Sequence, residues 1–235
     1  MYSLYCQSDF LRLRRPARAF LLAATALTAF TATQAAAQSV KPWTGNSDNV
    51  FGNNTNWIGL APGGADTARF DGVTGNSNAI RALTLGAADA SVRQIDVVTG
   101  AGAYSLATAG NRLDIGQVVS GGIAIAAGSL FTIANTGGGV VAFDNASVVS
   151  GSLTINNTGG GSGVDLFNGS NAGSATINLA AGTNATFNQT SSAGSATLNA
   201  NNNSLLFFFN DSRAGNSTIV SNGASLVEFR GNADA

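Results

Sequence analysis

Ala172-Gly173-Ser174-Ala175-Thr176-Ile177, Ala193-Gly194-Ser195-Ala196-Thr197-Leu198 and Ala214-Gly215-Asn216-Ser217-Thr218-Ile219 are three copies of one pattern. Two looser copies precede them, Ser129-Leu130-Phe131-Thr132-Ile133 and Gly151-Ser152-Leu153-Thr154-Ile155. Their aliphatic members stand at positions 133, 155, 177, 198 and 219, so the period stays almost constant over five copies. A fixed period of this size is the mark of a repeat architecture.

A second apolar site follows each aliphatic one after about ten residues: Phe143, Phe167, Phe187, Phe208 or Phe209, and Phe229. Between the two sites lie turn-forming clusters such as Asn135-Thr136-Gly137-Gly138-Gly139, Asn156-Asn157-Thr158-Gly159-Gly160-Gly161 and Asn222-Gly223. Gly and Asn accept positive φ, so the chain turns sharply there. Ser225-Leu226-Val227-Glu228-Phe229 alternates with the period of a strand, and no apolar pattern is sustained at helical spacing. The unit reads strand, turn, strand, turn. One such unit cannot bury its own apolar residues, but stacked copies place Ile over Ile and Phe over Phe. The fold expected is all-β, a parallel β-helix of ~21–22-residue rungs over residues 81–235. An antiparallel sandwich is the rival, and it does not require constant spacing. Asn amides are expected to stack between rungs, since each both donates and accepts.

Composition agrees with a folded chain whose polar surface is uncharged. Hydrophobic residues make up 44% and charged residues only 10%, the reverse of a disordered segment. The net charge of −1 gives no basic face for nucleic acid. Residues 1–37 read as a secretory signal peptide. Arg12, Arg14, Arg15 and Arg18 form its positive region, Ala19 to Phe30 its apolar core, and Ala35-Ala36-Ala37 its cleavage site before Gln38. The apolar run is shorter than the roughly 20 residues that span a bilayer. The single Cys, Cys6, lies within this leader, so the exported part has no disulfide. Residues 38–80 are irregular and hold Trp43 and Trp57, which are expected to plug the first rung as an N-terminal cap.

That segment runs Trp43-Thr44-Gly45, Asn56-Trp57, Pro62 and Asp66-Thr67-Ala68-Arg69-Phe70. It resembles the start of the passenger in bacterial autotransporters of the single-chain type (type V secretion), which begin with Trp-x-Gly, Asn-Trp and Asp-x-Ala-x-Phe. The later Ala-Gly-Asn/Ser-x-Thr-Ile units resemble that family's β-strand repeats. The resemblance implies a right-handed parallel β-helix passenger, export through the Sec translocon, and a C-terminal barrel in the Gram-negative outer membrane. No part of this sequence resembles such a barrel, which needs many strands of about 10 residues with aromatic girdles. Because Phe229 to Ala235 stops where another repeat is due, the chain reads as a truncated passenger. The expected location is the cell surface if a barrel accompanies it, and the periplasm otherwise.

Chemistry-bearing groups are few. The absence of His removes Ser-His-Asp catalysis and His-ligated zinc. Asp144 and Asp165 are separated by one period of the repeat, a spacing that would put them on adjacent rungs as one acidic spot. Gly160-Gly161-Ser162-Gly163-Val164-Asp165-Leu166-Phe167 has the calcium nonapeptide form but no tandem copy, so a glycine-rich turn is the preferred reading. No catalytic, cofactor-binding or metal-binding residue is assigned, and no cofactor is expected. The function expected is a non-catalytic surface or secreted scaffold, a passenger stalk supporting adhesion to a host or cell-surface ligand. The alternatives are a β-helix enzyme acting on polysaccharide and a free secreted repeat protein without a barrel.

Overall fold

The structure is a computed structural model, and it describes residues 38–75, 79 and 81–235. The signal-peptide reading and Cys6 lie outside the described residues. The chain winds as a parallel β-solenoid of about eight turns. Three sheets run along it. The first has five strands: Val40–Pro42, Thr67–Phe70, Gln94–Val97, Gly122–Ile125 and Val148–Ser150. Single parallel bridges carry it on from Val148 to Asn171, Ser192, Arg213 and Asp234. The second has seven: Ala82–Thr84, Ala103–Ala107, Leu130–Asn135, Leu153–Asn157, Thr176–Leu179, Thr197–Asn201 and Thr218–Asn222. The third also has seven: Ala90–Val92, Arg112–Ile115, Val140–Phe143, Gly163–Leu166, Asn184–Phe187, Leu205–Asn210 and Leu226–Gly231. The sheet pairing thus already begins inside residues 38–80, where Val40 pairs with Thr67.

The aliphatic positions stack as their spacing requires. In the second sheet Leu106, Ile133, Ile155, Ile177, Leu198 and Ile219 are successive register partners. All but the last are essentially buried, and each buried side chain of this size contributes about 1.5–3 kcal/mol. The regular period starts only at Ile133. The step from Leu106 to Ile133 is longer than any later step in this column, and so is the step from Leu113 to Val141 in the third sheet. The coils before residue 130 therefore carry longer connections than the constant period expected throughout.

The second apolar site needs one correction. Phe143, Leu166, Phe187, Phe208 and Phe229 are the register partners of the third sheet, so Leu166 and not Phe167 takes the inner position. The connection containing Thr158-Gly159-Gly160-Gly161-Ser162 also shifts the count by one. From Ile155 to Val164 the chain takes one step more than from Ile177 to Ala185. The turn absorbs that residue and the register is kept, so the inner position passes to Leu166, while Phe167 stands one residue further on and faces outward. Leu166 is fully buried and Phe167 is half-exposed. Where the period is unbroken, the rings stack directly: Phe187 on Phe208 at 4.7 Å and Phe208 on Phe229 at 4.6 Å between centroids.

Asn amides do stack between coils. Asn178 donates to Asn156 and Asn199 donates to Asn178, each at 2.8 Å. A second ladder is fully buried, where Asn135 donates to Asn157 at 2.7 Å and accepts from the Thr108 hydroxyl at 2.8 Å. Left without these partners, each buried amide would cost about 1–3 kcal/mol. At the turn before Leu153, Gly151 has φ +85°, and a Cβ there would run into the carbonyl of Ile125. Only glycine fits.

Two mutations test this packing. Ile177→Ala should lower the unfolding free energy by about 2–5 kcal/mol in urea titrations, while Thr176→Ala, on the outer face, should change it by about 0.5 kcal/mol or less. Deletion of Gly160 should be tolerated, because it gives that connection the length of its successors. Far-ultraviolet circular dichroism and the melting temperature should stay close to those of the parent chain.

Candidate functional site

The residues that carry the family resemblance build the N-terminal end of the core. Trp43 and Trp57 meet edge to face at 5.0 Å, Phe51 lies 5.0 Å from Trp57, and Phe70 lies 5.8 Å from it. Trp57 Nε1 donates to the Phe51 carbonyl at 2.7 Å. Both Trp side chains are buried, so they offer no exposed platform to a ligand. Asp66 accepts from Ser39 Oγ at 2.6 Å and from the Gly63 N–H at 3.0 Å, which pins the first strand and a turn to one carboxylate. Partial burial pushes the Asp66 carboxyl up, but these hydrogen bonds outweigh it and hold the pKa below 3.8. Asp48 does the same for the loop above. The Val50 N–H, then the amides of Asn53 and Asn56, hold its carboxyl below the usual range. Asn56 is itself fully buried and ties the Ser47 and Asp48 N–H groups to that loop.

Asp144 and Asp165 are not brought together. Asp165 is the register partner of Ala142 on one side and Thr186 on the other. Asp144 lies beyond its strand, where it accepts from the Asn168 amide and the Asn145 N–H at 2.6 and 2.7 Å. The step between these rungs, from Ala142 to Asp165, is two residues longer than the separation of Asp144 from Asp165, and the extra residue before Val164 accounts for one of them. The calcium-like stretch is a turn followed by the strand Gly163–Leu166, and neither neighbour of Asp165 is a carboxylate. Among the described residues, no group of three or more His, Cys, Asp or Glu side chains could hold a metal ion.

The third sheet does gather polar groups on its outer face. In register across the strands run Asp114, Ala142, Asp165, Thr186, Phe207 and Glu228. Arg112 pairs with Asp114 at 2.7 Å, and Arg230 reaches Glu228 at 2.9 Å. Burial raises the Asp165 carboxyl above 3.8, opposed by the Arg112 charge and a hydrogen bond from Thr186. Strand spacing puts Asp114 and Asp165 about 10 Å apart, with Ala142 between them. Sequence reasoning missed this row because its signal is a register, and the register depends on turn lengths. Among the described residues the surface holds no enclosed cavity. Phe207 and Phe209 stack at 5.3 Å, and the Arg230 guanidinium lies 5.8 Å over Phe209.

Comparison with protein-family models, curated proteins and solved structures finds no match to this chain.

The Asp165 arrangement has a thermodynamic sign. A carboxyl whose folded pKa exceeds its unfolded one destabilises the fold once ionised. That penalty is absent below the unfolded value near 3.8 and complete above the folded value. Asp165→Asn should therefore melt higher than the parent chain at about pH 7, with the difference vanishing by about pH 3.

Proposed function

We propose that this chain is a non-catalytic rod, the stalk of an exported passenger of the autotransporter type that carries polar surface away from a cell. The observation that supports it best is the constant register of the parallel coils. Each coil from Ile133 to Ile219 repeats the one before it without a large insertion. Stacked repeats of this kind supply length and backbone protection, because every new coil is held by its neighbours. The Trp-x-Gly, Asn-Trp and Asp-x-Ala-x-Phe segment adds the family likeness, and its residues pack the start of the rod. In this reading the full-length protein is anchored by an outer-membrane barrel, and the leader directs the chain to the Sec translocon. The stalk contributes to adhesion by presenting the same outer positions many times over.

An epitope inserted at Gly160-Gly161, where a Cβ at Gly160 meets no neighbour, tests this in the native cell. Antibody labelling of intact cells is the expected result. Labelling only after the outer membrane is permeabilised would sink the display reading.

A further inference from the structure

We propose that the outer face of the third sheet, around Asp165, Thr186 and Phe207, binds an uncharged polysaccharide strand. Four observations lead there. First, a carboxylate that accepts hydrogen bonds sits beside hydroxyl and amide groups that both donate and accept. Asp165 and Thr186 are register partners, and the Asn184 amide lies 3.4 Å from the Thr186 hydroxyl. Asn188 follows on the same face, and all four are partly exposed. Such a set matches sugar hydroxyls, which also donate and accept.

Second, apolar side chains border that strip on the next two strands. Phe207 is the partner of Thr186, and Leu205 and Leu226 stay 38% and 46% exposed in a sheet whose inner face is already packed. The C–H faces of sugar rings suit this boundary between apolar and hydrogen-bonding surface.

Third, the charges exclude an acidic ligand. Arg112 and Arg230 are both engaged by carboxylates of the same face, Asp114 and Glu228. The Asp165 carboxylate within the strip would repel phosphate or uronate.

Fourth, the apolar area is too small for a protein partner. It spans about 14 Å along Leu205–Phe209 and about 10 Å across the strands, or roughly 140 Å². A stable protein interface needs about 800 Å² on each side.

The inference deepens the display reading by naming a ligand class, but its test needs no cell surface. The full chain is run in native gels cast with a neutral β-glucan, a neutral galactomannan, a soluble chitin derivative without net charge, or polygalacturonate. Retardation by at least one neutral polymer is expected, with no retardation by polygalacturonate. Phe207→Asn and Thr186→Lys should each weaken that retardation at least tenfold in apparent affinity, with melting temperatures unchanged. Asn178→Ala, on the second sheet, should bind like the parent. Should Phe207→Asn fail to fold, Leu226→Asn takes its place. No retardation by any neutral polymer, retardation by polygalacturonate alone, or equal retardation of the folded variants would each overturn the proposal. None of these results bears on surface labelling, so the two readings fail separately.

Discussion

Every coil of this solenoid must bring its chain back in phase with the coil below, because each inner side chain is held only by the register of a parallel backbone ladder. The described residues include no cysteine, so no covalent tie corrects a slip among them. The phase is therefore set by counting. Strands of alternating residues and the turns between them must sum to a length that returns Ile over Ile and Phe over Phe. Where the count changes by one, as before Val164, the turn absorbs the extra residue and Leu166, not Phe167, comes into register with Phe143 and Phe187. The Phe then moves outside, and the stack of rings resumes at Phe187.

The same ladder distributes charge unevenly between the faces. The outward positions of the second sheet from Thr132 onward carry Thr, Ala, Asn and Val, with no charged side chain. Asn amides there bond to one another from coil to coil, which holds the surface in fixed hydrogen-bond directions. The third sheet carries Arg112, Asp114, Asp165, Glu228 and Arg230, together with aromatic side chains. One solenoid thus presents two chemically different sides, although both are built from the same repeat.

Much of the fold was legible in the residues. The aliphatic column at 133, 155, 177, 198 and 219 is visible as a period, and it becomes the register of the second sheet without exception. The parallel stacking and the pairing of Asn amides follow from it. The longer N-terminal coils were not legible, because their extra residues lie in connections with no repeated motif. Nor was the Asp114–Ala142–Asp165–Thr186 row, since residues 114 and 165 share a face only through two turns of unequal length. Asp144 shows the opposite error. Its distance from Asp165 matches the period, yet the local coil is longer, and the carboxylate ends up capping a corner amide.

The exposed amide ladders also have a direction. Asn178 donates back to Asn156, Asn199 back to Asn178, and Asn222 back to Asn201. Each finished coil therefore offers a waiting oxygen to the amide that comes next in the chain. In a one-dimensional array, where a coil gains most of its stability from its neighbour, such a row works as a template.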